Sequence, residues 1–357
     1  MTDPASSPIR SEAHADAGRV IAITGVSGLI GQRLLPLLEA LPDVERIIGI
    51  DVKEPARRVN CLEMHLVDVT SAQAAALLDG VDAVVHLAAV VGPVTERELA
   101  RSVNIDGTKN LLAAAGKANV RAVIRASSAA VYGAWEHNAL PLTETAMLRP
   151  NPGYEPAIDD AECERLLLEW SEAHLSAQVT WLRVAPVVGA GARSVFARAA
   201  VGRPPAVVRG SNPPVQVVHV DDVASAIVHV LEHDLDGVFN VAADGWLEHD
   251  DALAVAPHKR PPAVPYDMAH KALSAMWASG IGDAPPEVLP YVMHSWVISN
   301  EKLKATGWAP RHTNEEAVLL AGDPDVRRRP LPWVAAVGAV VTGAAGATWW
   351  LTRRRRP

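Results

Sequence analysis

Short apolar runs alternate with amphipathic segments through the first half of the chain. Residues 20–24 form an apolar run, and residues 29–41 repeat leucine at the three- and four-residue spacings of a helix face. Further apolar runs lie at 46–50, 62–67, 82–89, 121–126 and 178–183, and helical patterns at 72–78, 96–117 and 157–174. This regular alternation predicts an α/β fold whose strands form a parallel sheet with right-handed crossovers.

The pattern loosens beyond residue 184, where glycine and proline multiply. A strand is predicted over 215–220, and the Asp221–Asp222 pair after it is expected to cap a helix over 223–233. Residues 237–241 predict one more strand. From 252 to 321 the chain is rich in proline with short helical pieces, which predicts a smaller lobe rather than an independent domain.

Three glycines follow the first apolar run at a spacing of three, at Gly25, Gly28 and Gly31. Gly25 suits a tight turn off the strand, Gly28 lets backbone approach a pyrophosphate, and Gly31 lets the helix pack closely on the strand. The helix N-terminus would then offer N–H groups to phosphates. A plain strand-turn-helix is the alternative, because a glycine triplet alone is a weak signal.

An acidic residue at the end of the second predicted strand supports the nucleotide-binding interpretation. Asp51 lies about twenty residues beyond the glycines, where a ribose-binding acid is expected. A carboxylate there accepts hydrogen bonds from the 2′-OH and repels a 2′-phosphate, so NAD is favoured over NADP. The nearby Lys53, Arg57 and Arg58 would soften that preference.

Other polar residues fall at strand ends or inside apolar segments. Asp68 ends the third strand, where it would accept a hydrogen bond from an adenine amino group or simply lie at the surface. His86, inside the fourth strand, is interpreted as a hydrogen-bonded core residue. Asn104 is a buried amide candidate, with a helix-packing hydrogen bond as its alternative role. The Ser127–Ser128 pair follows the fifth strand, at the sheet edge where ligands bind in open α/β folds.

Charge and cysteine content narrow the functional classes. The net charge is −8, and seven arginines after residue 326 leave −15 on the preceding residues. This acidic body argues against nucleic-acid binding. Two cysteines are too few for a disulfide framework or a metal cluster, so no metal site is predicted and a reducing compartment fits. Residues 1–18 are polar and lack the apolar core of a signal peptide, so they are interpreted as a disordered lead-in.

Together these motifs resemble the extended short-chain dehydrogenase/reductases, also called the NAD-dependent epimerase/dehydratase family. The resemblance covers about residues 19 to 315. It rests on the glycine motif, Asp51, Asp68–Val69, His86–Ala89, Asn104, Ser127–Gly133, Tyr154, Leu182–Arg183 and Val218–Ala224. It implies a Rossmann-type doubly wound sheet over 19–183 and a smaller substrate lobe over 184–322.

The resemblance also implies roles for individual residues. Tyr154 would be the general acid/base, and Ser128 would hydrogen-bond the reacting oxygen. A tyrosine with an ordinary pKa near ~10 needs a nearby cation to work at neutral pH. Contacts with the cofactor NAD are implied for Gly25, Ser27, Gly28, Leu29, Ile30, Gly31, Asp51, Asp68, Val69, Leu87, Ala88, Ala89, Asn104, Ser127 and Tyr154.

Two positions depart from the family pattern. The lysine expected four residues after Tyr154 is Ile158, which cannot lower the pKa of a phenol. Arg125, Arg149 and Arg183 are candidate substitutes. Pro186 stands where members acting on nucleotide sugars usually carry an asparagine that holds the diphosphate.

The sequence leaves two functional hypotheses. The first is an enzyme, an oxidoreductase, epimerase or dehydratase acting by hydride transfer at a carbinol or sugar carbon. The second is an NAD-binding scaffold or redox sensor without turnover.

The C-terminal tail predicts a membrane anchor. Residues 331–352 carry no charge and as a helix would span ~33 Å, enough for a ~30 Å hydrocarbon core. Basic segments at 323–330 and 353–357 flank it, and tryptophans lie near both ends. Since a cytoplasmic NAD domain would send four arginines across the membrane, a helix lying in the interface is the alternative. Membrane attachment suggests an apolar or lipid-linked substrate, and the family resemblance suggests a homodimer.

Overall fold

Seven parallel strands form the centre of the protein. Their order across the sheet is β3 (Leu62–Leu66), β2 (Val44–Asp51), β1 (Arg19–Thr24), β4 (Ala83–His86), β5 (Ala122–Ser128), β6 (Gln178–Val184) and β9 (Gly237–Val241). The structure, a computed structural model, describes residues 18–91, 96–192, 194–200, 207–255, 263–282 and 284–321. Every neighbouring pair in this sheet is parallel. The strand order reverses between β1 and β4, so the sheet is doubly wound and opens a crevice at the carboxyl ends of these two strands.

The strands are β1 (Arg19–Thr24), β2 (Val44–Asp51), β3 (Leu62–Leu66), β4 (Ala83–His86), β5 (Ala122–Ser128), β6 (Gln178–Val184), β7 (Val187–Val188), β8 (Val218–His219) and β9 (Gly237–Val241). The helices are α1 (Leu29–Glu39), α2 (Ala72–Ala76), α3 (Arg97–Arg101), α4 (Gly107–Lys117), α5 (Glu155–Ala173), α6 (Val195–Ala200), α7 (Val220–Glu232), α8 (His249–Val255), α9 (Tyr266–Ala278), α10 (Leu289–Met293), α11 (Glu301–Lys304) and α12 (Asn314–Leu320).

Apolar side chains cover both faces of the sheet, which explains the nearly continuous apolar runs in its strands. One core lies under α1 and α7 and includes the fully buried Ile21 and Leu34. The other lies under α2, α4 and α5 and includes Leu111 and Leu167. The predicted α/β class with a Rossmann-type sheet is therefore confirmed.

Two predicted elements differ in detail from the observed ones. The strand predicted over 82–89 is regular only over Ala83–His86, since the chain then turns along the edge of the crevice. The long helix predicted over 96–117 contains a π-helical turn, Ser102–Asp106, between α3 and α4. Such turns insert one extra residue and re-aim side chains. Here the turn contains the buried Asn104.

The strand predicted over 215–220 and its aspartate cap are wrong. Only Val218–His219 pairs as a strand, with β7, and the helix begins at Val220. The capping group is the ring of His219, whose Nδ1 accepts from the Asp221 N–H at 3.3 Å. Asp222 instead lies fully buried and accepts the backbone N–H groups of Arg311 and His312. Its carboxylate therefore anchors the segment between α11 and α12.

The residues after β6 contribute to two smaller cores. Aromatic and aliphatic side chains from α5, α6, α9 and α10 meet in one of them, which includes Tyr154, Leu273 and Tyr291. Among the helices of the described ranges, none combines the length and the apolar character that crossing a membrane requires. The predicted membrane helix 331–352 lies outside the described residues, as do residues 1–17 and the flanking segments 323–330 and 353–357.

Candidate functional site

Protein packing in the turn between β1 and α1 requires glycine at two of its three glycine positions. Gly25 adopts a positive φ of 70°, and a Cβ there would lie 2.6 Å from the backbone N of Ala88. A Cβ at Gly31 would lie 2.5 Å from the carbonyl oxygen of Val26, so only glycine lets α1 pack so closely. A Cβ at Gly28 would meet only the Gly25 carbonyl oxygen, at 3.0 Å. Gly28 is thus less crowded by protein than the other two glycines, as a position facing a ligand should be.

The N-terminus of α1 carries no side-chain cap. Its first-turn N–H groups are therefore free to donate hydrogen bonds to an anion in the crevice. Asp51, at the end of β2, lies beside this turn: its Oδ2 accepts the Ser27 N–H at 2.9 Å. The Ser27 hydroxyl donates to the carbonyl of Lys53 at 2.6 Å. A fully extended chain would hold these two motifs about 80 Å apart, but in the fold they form one structural unit.

The ends of β3 and β4 complete this side of the crevice. The carboxylate of Asp68 is exposed and accepts the N–H of Thr70 at 2.8 Å, as in an ordinary turn. Val69 is buried against Gly107, where a Cβ would lie 2.6 Å from its Cγ1. Leu87, Ala88 and Ala89 remain partly exposed after β4. These residues therefore border the crevice, and their contacts with a cofactor, including that of Asp68, remain predictions.

Asn104 and His86 are both held by the protein itself. The Asn104 Oδ1 accepts the N–H of Val90 at 2.8 Å, and its Nδ2 donates to Asp159 at 3.3 Å. This side chain thus fixes the chain that leaves β4. The His86 ring lies between the hydroxyls of Thr24 and Thr108, at 2.6 and 3.0 Å. Burial, with a smaller contribution from Arg125, keeps the pKa of His86 well below its ordinary value, so it is a neutral core histidine as predicted.

Ser127 and Ser128 face different partners. The buried Ser127 hydroxyl donates to Oε1 of Glu164 at 2.6 Å, which turns it toward α5 and away from a ligand. The partly exposed Ser128 accepts the N–H of Ala130 at 3.1 Å. Its own hydroxyl hydrogen has no acceptor among the described residues. Of the two serines, Ser128 is therefore the one with a donor to offer a substrate oxygen.

Tyr154 lies at the start of α5 inside an aromatic cluster. Its ring centroid is 4.9 Å from that of Tyr291 and 5.6 Å from that of Phe196. Burial raises the pKa of Tyr154 far above its ordinary value, and Tyr291 and Asp160 raise it further. None of the described residues supplies a cation that lowers this pKa. At neutral pH the phenol is therefore protonated.

Only one of the three arginines proposed as a substitute for the missing lysine is buried with unused donors. The guanidinium of Arg183 is taken up by Glu164, at 2.8 Å, and by the Tyr132 hydroxyl, at 2.9 Å. Arg149 is exposed and lies over the ring of Trp135. Arg125 is fully buried and pairs with Asp160 at 2.9 Å, while its Nε and Nη1 have no partner among the described residues.

A buried polar network next to this site has no simple sequence signal. Glu164 joins Arg183 to Ser127, and the hydroxyl of Tyr132 donates to Asn240 on β9 at 2.8 Å. Each of these buried polar groups is paired, as burial requires. The network ties β5, β6 and β9 together directly below the crevice. Glu164 was missed because a glutamate within a helix normally reads as a surface residue.

An apolar cavity of about 300 Å³ lies beyond Tyr154. Phe196 and Tyr291, which pack on Tyr154, form part of its wall. Pro186 also lines it, so the departure from the nucleotide-sugar pattern falls on the cavity surface. The cavity thus adjoins the candidate acid/base through two aromatic rings.

Comparison with protein families gives a match over most of the described core. The model described as "NAD dependent epimerase/dehydratase family" matches residues 21–242, which include the glycine turn, Ser128, Tyr154 and β9. The match spans well over half of the chain.

Individual relatives and solved structures agree with that match. An uncharacterized protein of Mycobacterium tuberculosis is 26% identical over 314 residues, covering 85% of this chain and 83% of that protein. A 3 beta-hydroxysteroid dehydrogenase/Delta 5-->4-isomerase of monkeypox virus is 29% identical over 161 residues, covering 42% of this chain and 46% of the relative.

Among solved structures, the UDP-glucose 4-epimerase of Thermotoga maritima with UDP-glucose has a TM-score of 0.65 at 21% identity. It covers 85% of this chain and 97% of its own. The UDP-glucose 4-epimerase of Thermus thermophilus in complex with NAD has the same TM-score at 22% identity and covers the same shares. At these identities the likeness establishes the fold.

Proposed function

The chain belongs to the NAD-dependent epimerase/dehydratase family, and from that premise we propose that it catalyses NAD-dependent hydride transfer at a carbinol or sugar carbon. Members of this family are NAD-dependent enzymes of the extended short-chain type. The observation that supports the proposal is the contact of Asp51 with the glycine turn, since a carboxylate and an uncapped helix N-terminus lie side by side there, as an adenine ribose and a pyrophosphate would require.

The residues around the crevice fit NAD. The uncapped start of α1 would hold the pyrophosphate, and Asp51 would accept the hydroxyls of the adenine ribose. Leu87, Ala88 and Ala89 would lie along the cofactor, and Arg58 is already paired with Glu54 rather than free for a 2′-phosphate. When bound, NAD⁺ supplies a hydride acceptor. NADP is the less favoured cofactor, because the carboxylate of Asp51 would repel its 2′-phosphate.

Tyr154 and Ser128 would handle the proton. Oxidation of an alcohol breaks its C–H and O–H bonds: the hydride leaves for NAD⁺ and the proton for the Tyr154 oxygen, giving a ketone. In the reverse direction Tyr154 donates its proton to the ketone oxygen while Ser128 holds that oxygen. Because burial keeps Tyr154 protonated, the form present at neutral pH is the one that serves ketone reduction.

The Asp51→Ala variant tests cofactor binding. Calorimetric titration with NAD, NADH, NADP and NADPH should show NAD affinity reduced by about 10- to 100-fold, as expected for hydrogen bonds to a charged group. NADP binding should change less. Glu54→Ala removes a neighbouring exposed carboxylate and should leave NAD binding unchanged. Equal NAD affinity in all three proteins would contradict this site.

The Tyr154→Phe variant tests turnover. It removes the proton donor without changing the ring packing, so kcat should fall by about 10²- to 10⁴-fold while NAD binding persists. The second candidate, an NAD-binding scaffold or redox sensor, is favoured by Ile158 and by the raised pKa of Tyr154. NAD binding without turnover of any tested alcohol or ketone would support that candidate, whereas activity that Tyr154→Phe leaves unchanged would contradict the role of Tyr154 in the first.

We propose three further properties on the sequence and the family resemblance. Residues 331–352 attach the protein to a membrane, with the NAD-binding body over 19–183 and the substrate lobe over 184–322 on the cytoplasmic side. The substrate is a small molecule, apolar or lipid-linked. Two copies pair through α4 and α5, and sedimentation of the tail-deleted protein tests that pairing.

A further inference from the structure

The wall of the apolar cavity beyond Tyr154 comes from three separated parts of the chain. Described residues between Pro186 and Ala200 and the segment 207–216 supply one side, α8 supplies another, and the segment around α10 supplies the third. Its lining residues are Pro186, Phe196, Ala199, Ala200, Val207, Val208, Gly210, Ser211, Asn212, Pro213, Pro214, Val215, Gln216, His249, Ala252, Leu253, Ala263, Tyr291, Val292, Trp296 and Val297. Its volume of about 300 Å³ is that of a small ligand site.

Most polar atoms in this wall are already satisfied within the protein. The Gln216 amide donates to the carbonyls of Gly245 and Ile298 and accepts the Ile298 N–H. The Tyr291 hydroxyl donates to the Ala130 carbonyl at 2.9 Å. These groups therefore form their hydrogen bonds within the protein, and the surface that a ligand meets is mainly apolar.

Ser211 and Trp296 are satisfied in the same way. The Ser211 hydroxyl donates to the Met293 carbonyl at 3.0 Å, and the Trp296 indole to the Tyr291 carbonyl at 2.9 Å. Asn212 and His249 are the polar lining side chains that make no hydrogen bond among the described residues. Among the described lining side chains, Asn212 and His249 are thus the two that could hydrogen-bond a polar group of a ligand.

Cationic side chains are missing from the described part of this wall. Arg209 lies between two lining residues, Val208 and Gly210, but its side chain is exposed and does not line the cavity. A diphosphate buried here would need arginine or lysine partners, because an unpaired buried anion is very unfavourable. Pro186 lines this wall, at the position where the family resemblance implies an asparagine in members that act on nucleotide sugars.

We propose that this cavity holds the body of an uncharged, mainly apolar secondary alcohol or its ketone, and not a nucleoside diphosphate sugar. The proposal rests on the hydride-transfer function given above and names its substrate class. The apolar body packs against the aliphatic wall, and the carbinol lies at the end of the cavity formed by Phe196 and Tyr291, the two rings that contact Tyr154. The reaction is the balanced one already written: alcohol and NAD⁺ give ketone, NADH and a proton.

The test uses the full chain with saturating NADH and two probes, 2-decalone and UDP-glucose. Calorimetry should show binding of 2-decalone and none of UDP-glucose at equal concentration, and the ketone should be reduced with consumption of NADH. Binding of UDP-glucose, or of neither probe, overturns the inference while NADH binding still stands. Failure of NADH itself to bind would instead overturn the proposed function.

A matched pair of variants on α8 locates the ligand. Ala252 is buried in the wall, whereas Ala254 on the same helix is exposed and does not line the cavity. Ala252→Phe fills the cavity and should weaken 2-decalone binding by at least about tenfold, the effect of a misplaced group in a hydrophobic pocket. Ala254→Phe should leave it unchanged, and both should bind NADH normally.

A second variant that fills the cavity provides the same test if the first one does not fold. Should Ala252→Phe fail to fold, Leu253→Trp fills the same wall from a half-buried position and should give the same loss. Equal 2-decalone affinity in the wild type and in a folded filling variant contradicts the placement of the substrate in this cavity.

Discussion

Ile158 lies one helical turn after Tyr154, at the position where the family resemblance places a lysine. It is half-buried on α5 and cannot offset the burial that raises the pKa of Tyr154. Residues four apart on a helix face the same side, so a lysine at 158 would bring its charge close to the phenol. Opposite charge favours the phenolate and therefore lowers its pKa.

The Ile158→Lys variant should shift the pH dependence of alcohol oxidation. Since a lower pKa gives more phenolate at a given pH, the rising limb of kcat should move at least about one unit toward lower pH. The measurement is kcat against pH with excess NAD. Ile158→Met, which keeps an apolar side chain of similar volume, should leave the limb in place. An unmoved limb in the lysine variant would mean that Tyr154 is not the titrating base.

Asp160 is expected to make the free energy of unfolding, rather than kcat, depend on pH. Burial raises its pKa to about 6, although Arg125 opposes this shift. Its folded pKa thus exceeds the unfolded one, and the folded state holds more protons between about pH 4 and 6. The contribution of Asp160 to stability is therefore greatest below this window and is lost as the pH rises through it.

Asp160→Asn removes that titration. The free energy of unfolding of the wild type, minus that of the variant, should fall as the pH rises from about 4 to 6 and then level off. Chemical denaturation at a series of pH values measures it. Asp236→Asn is the control substitution, because the Asp236 carboxylate accepts the N–H of Val179 and does not pair with Arg125. A difference that rises with pH would contradict the raised pKa of Asp160.

At the scale of elements, the turn from β1 into α1 contains one glycine that we assign to NAD binding and another that lets the helix pack on the strand. Gly31 meets the Val26 carbonyl, whereas Gly28 faces the crevice with one protein contact. Gly31→Ala should lower the free energy of unfolding by about 2 kcal/mol through overpacking, despite the better helix propensity of alanine. Gly28→Ala should cost less stability but weaken NAD binding by at least about tenfold, or about 1.4 kcal/mol.

Denaturant titration and NAD calorimetry on both glycine variants measure this separation. The reverse pattern, in which Gly28→Ala unfolds the protein and Gly31→Ala only weakens NAD binding, would contradict the assignment of Gly28 to the ligand side of the turn.

Periodicity predicted the elements that are buried on both sides. The central strands β1 and β4 of the main sheet are mainly apolar because helices cover both faces, and the sequence shows this directly. The segment 215–220 is also mainly apolar, yet only Val218 and His219 pair as a strand, and Val215 forms an isolated bridge with Leu247. Its other partners include Ile298 and Asn314, and a local pattern carries no information about such distant partners.

Across the whole molecule, the cofactor half of the site was predictable and the substrate half was not. The glycines and Asp51 carry a spacing signal because one βαβ unit positions them. The cavity is lined from residues 186 to 297, and its character depends on which polar atoms are satisfied inside the wall. Gln216 reads as polar in the sequence and presents no hydrogen bond to the cavity.

The uncharged segment 331–352 predicts that the whole molecule is attached to a membrane. Deleting residues 327–357 should move the protein from the membrane pellet to the supernatant, because the deletion removes the apolar segment and its basic flanks. Replacing the arginines at 353–356 with serine keeps the apolar segment and should leave the protein in the pellet. Release by that charge replacement alone would show that an interfacial, electrostatic attachment holds the protein, and a full-length chain found in the supernatant without detergent would contradict attachment altogether.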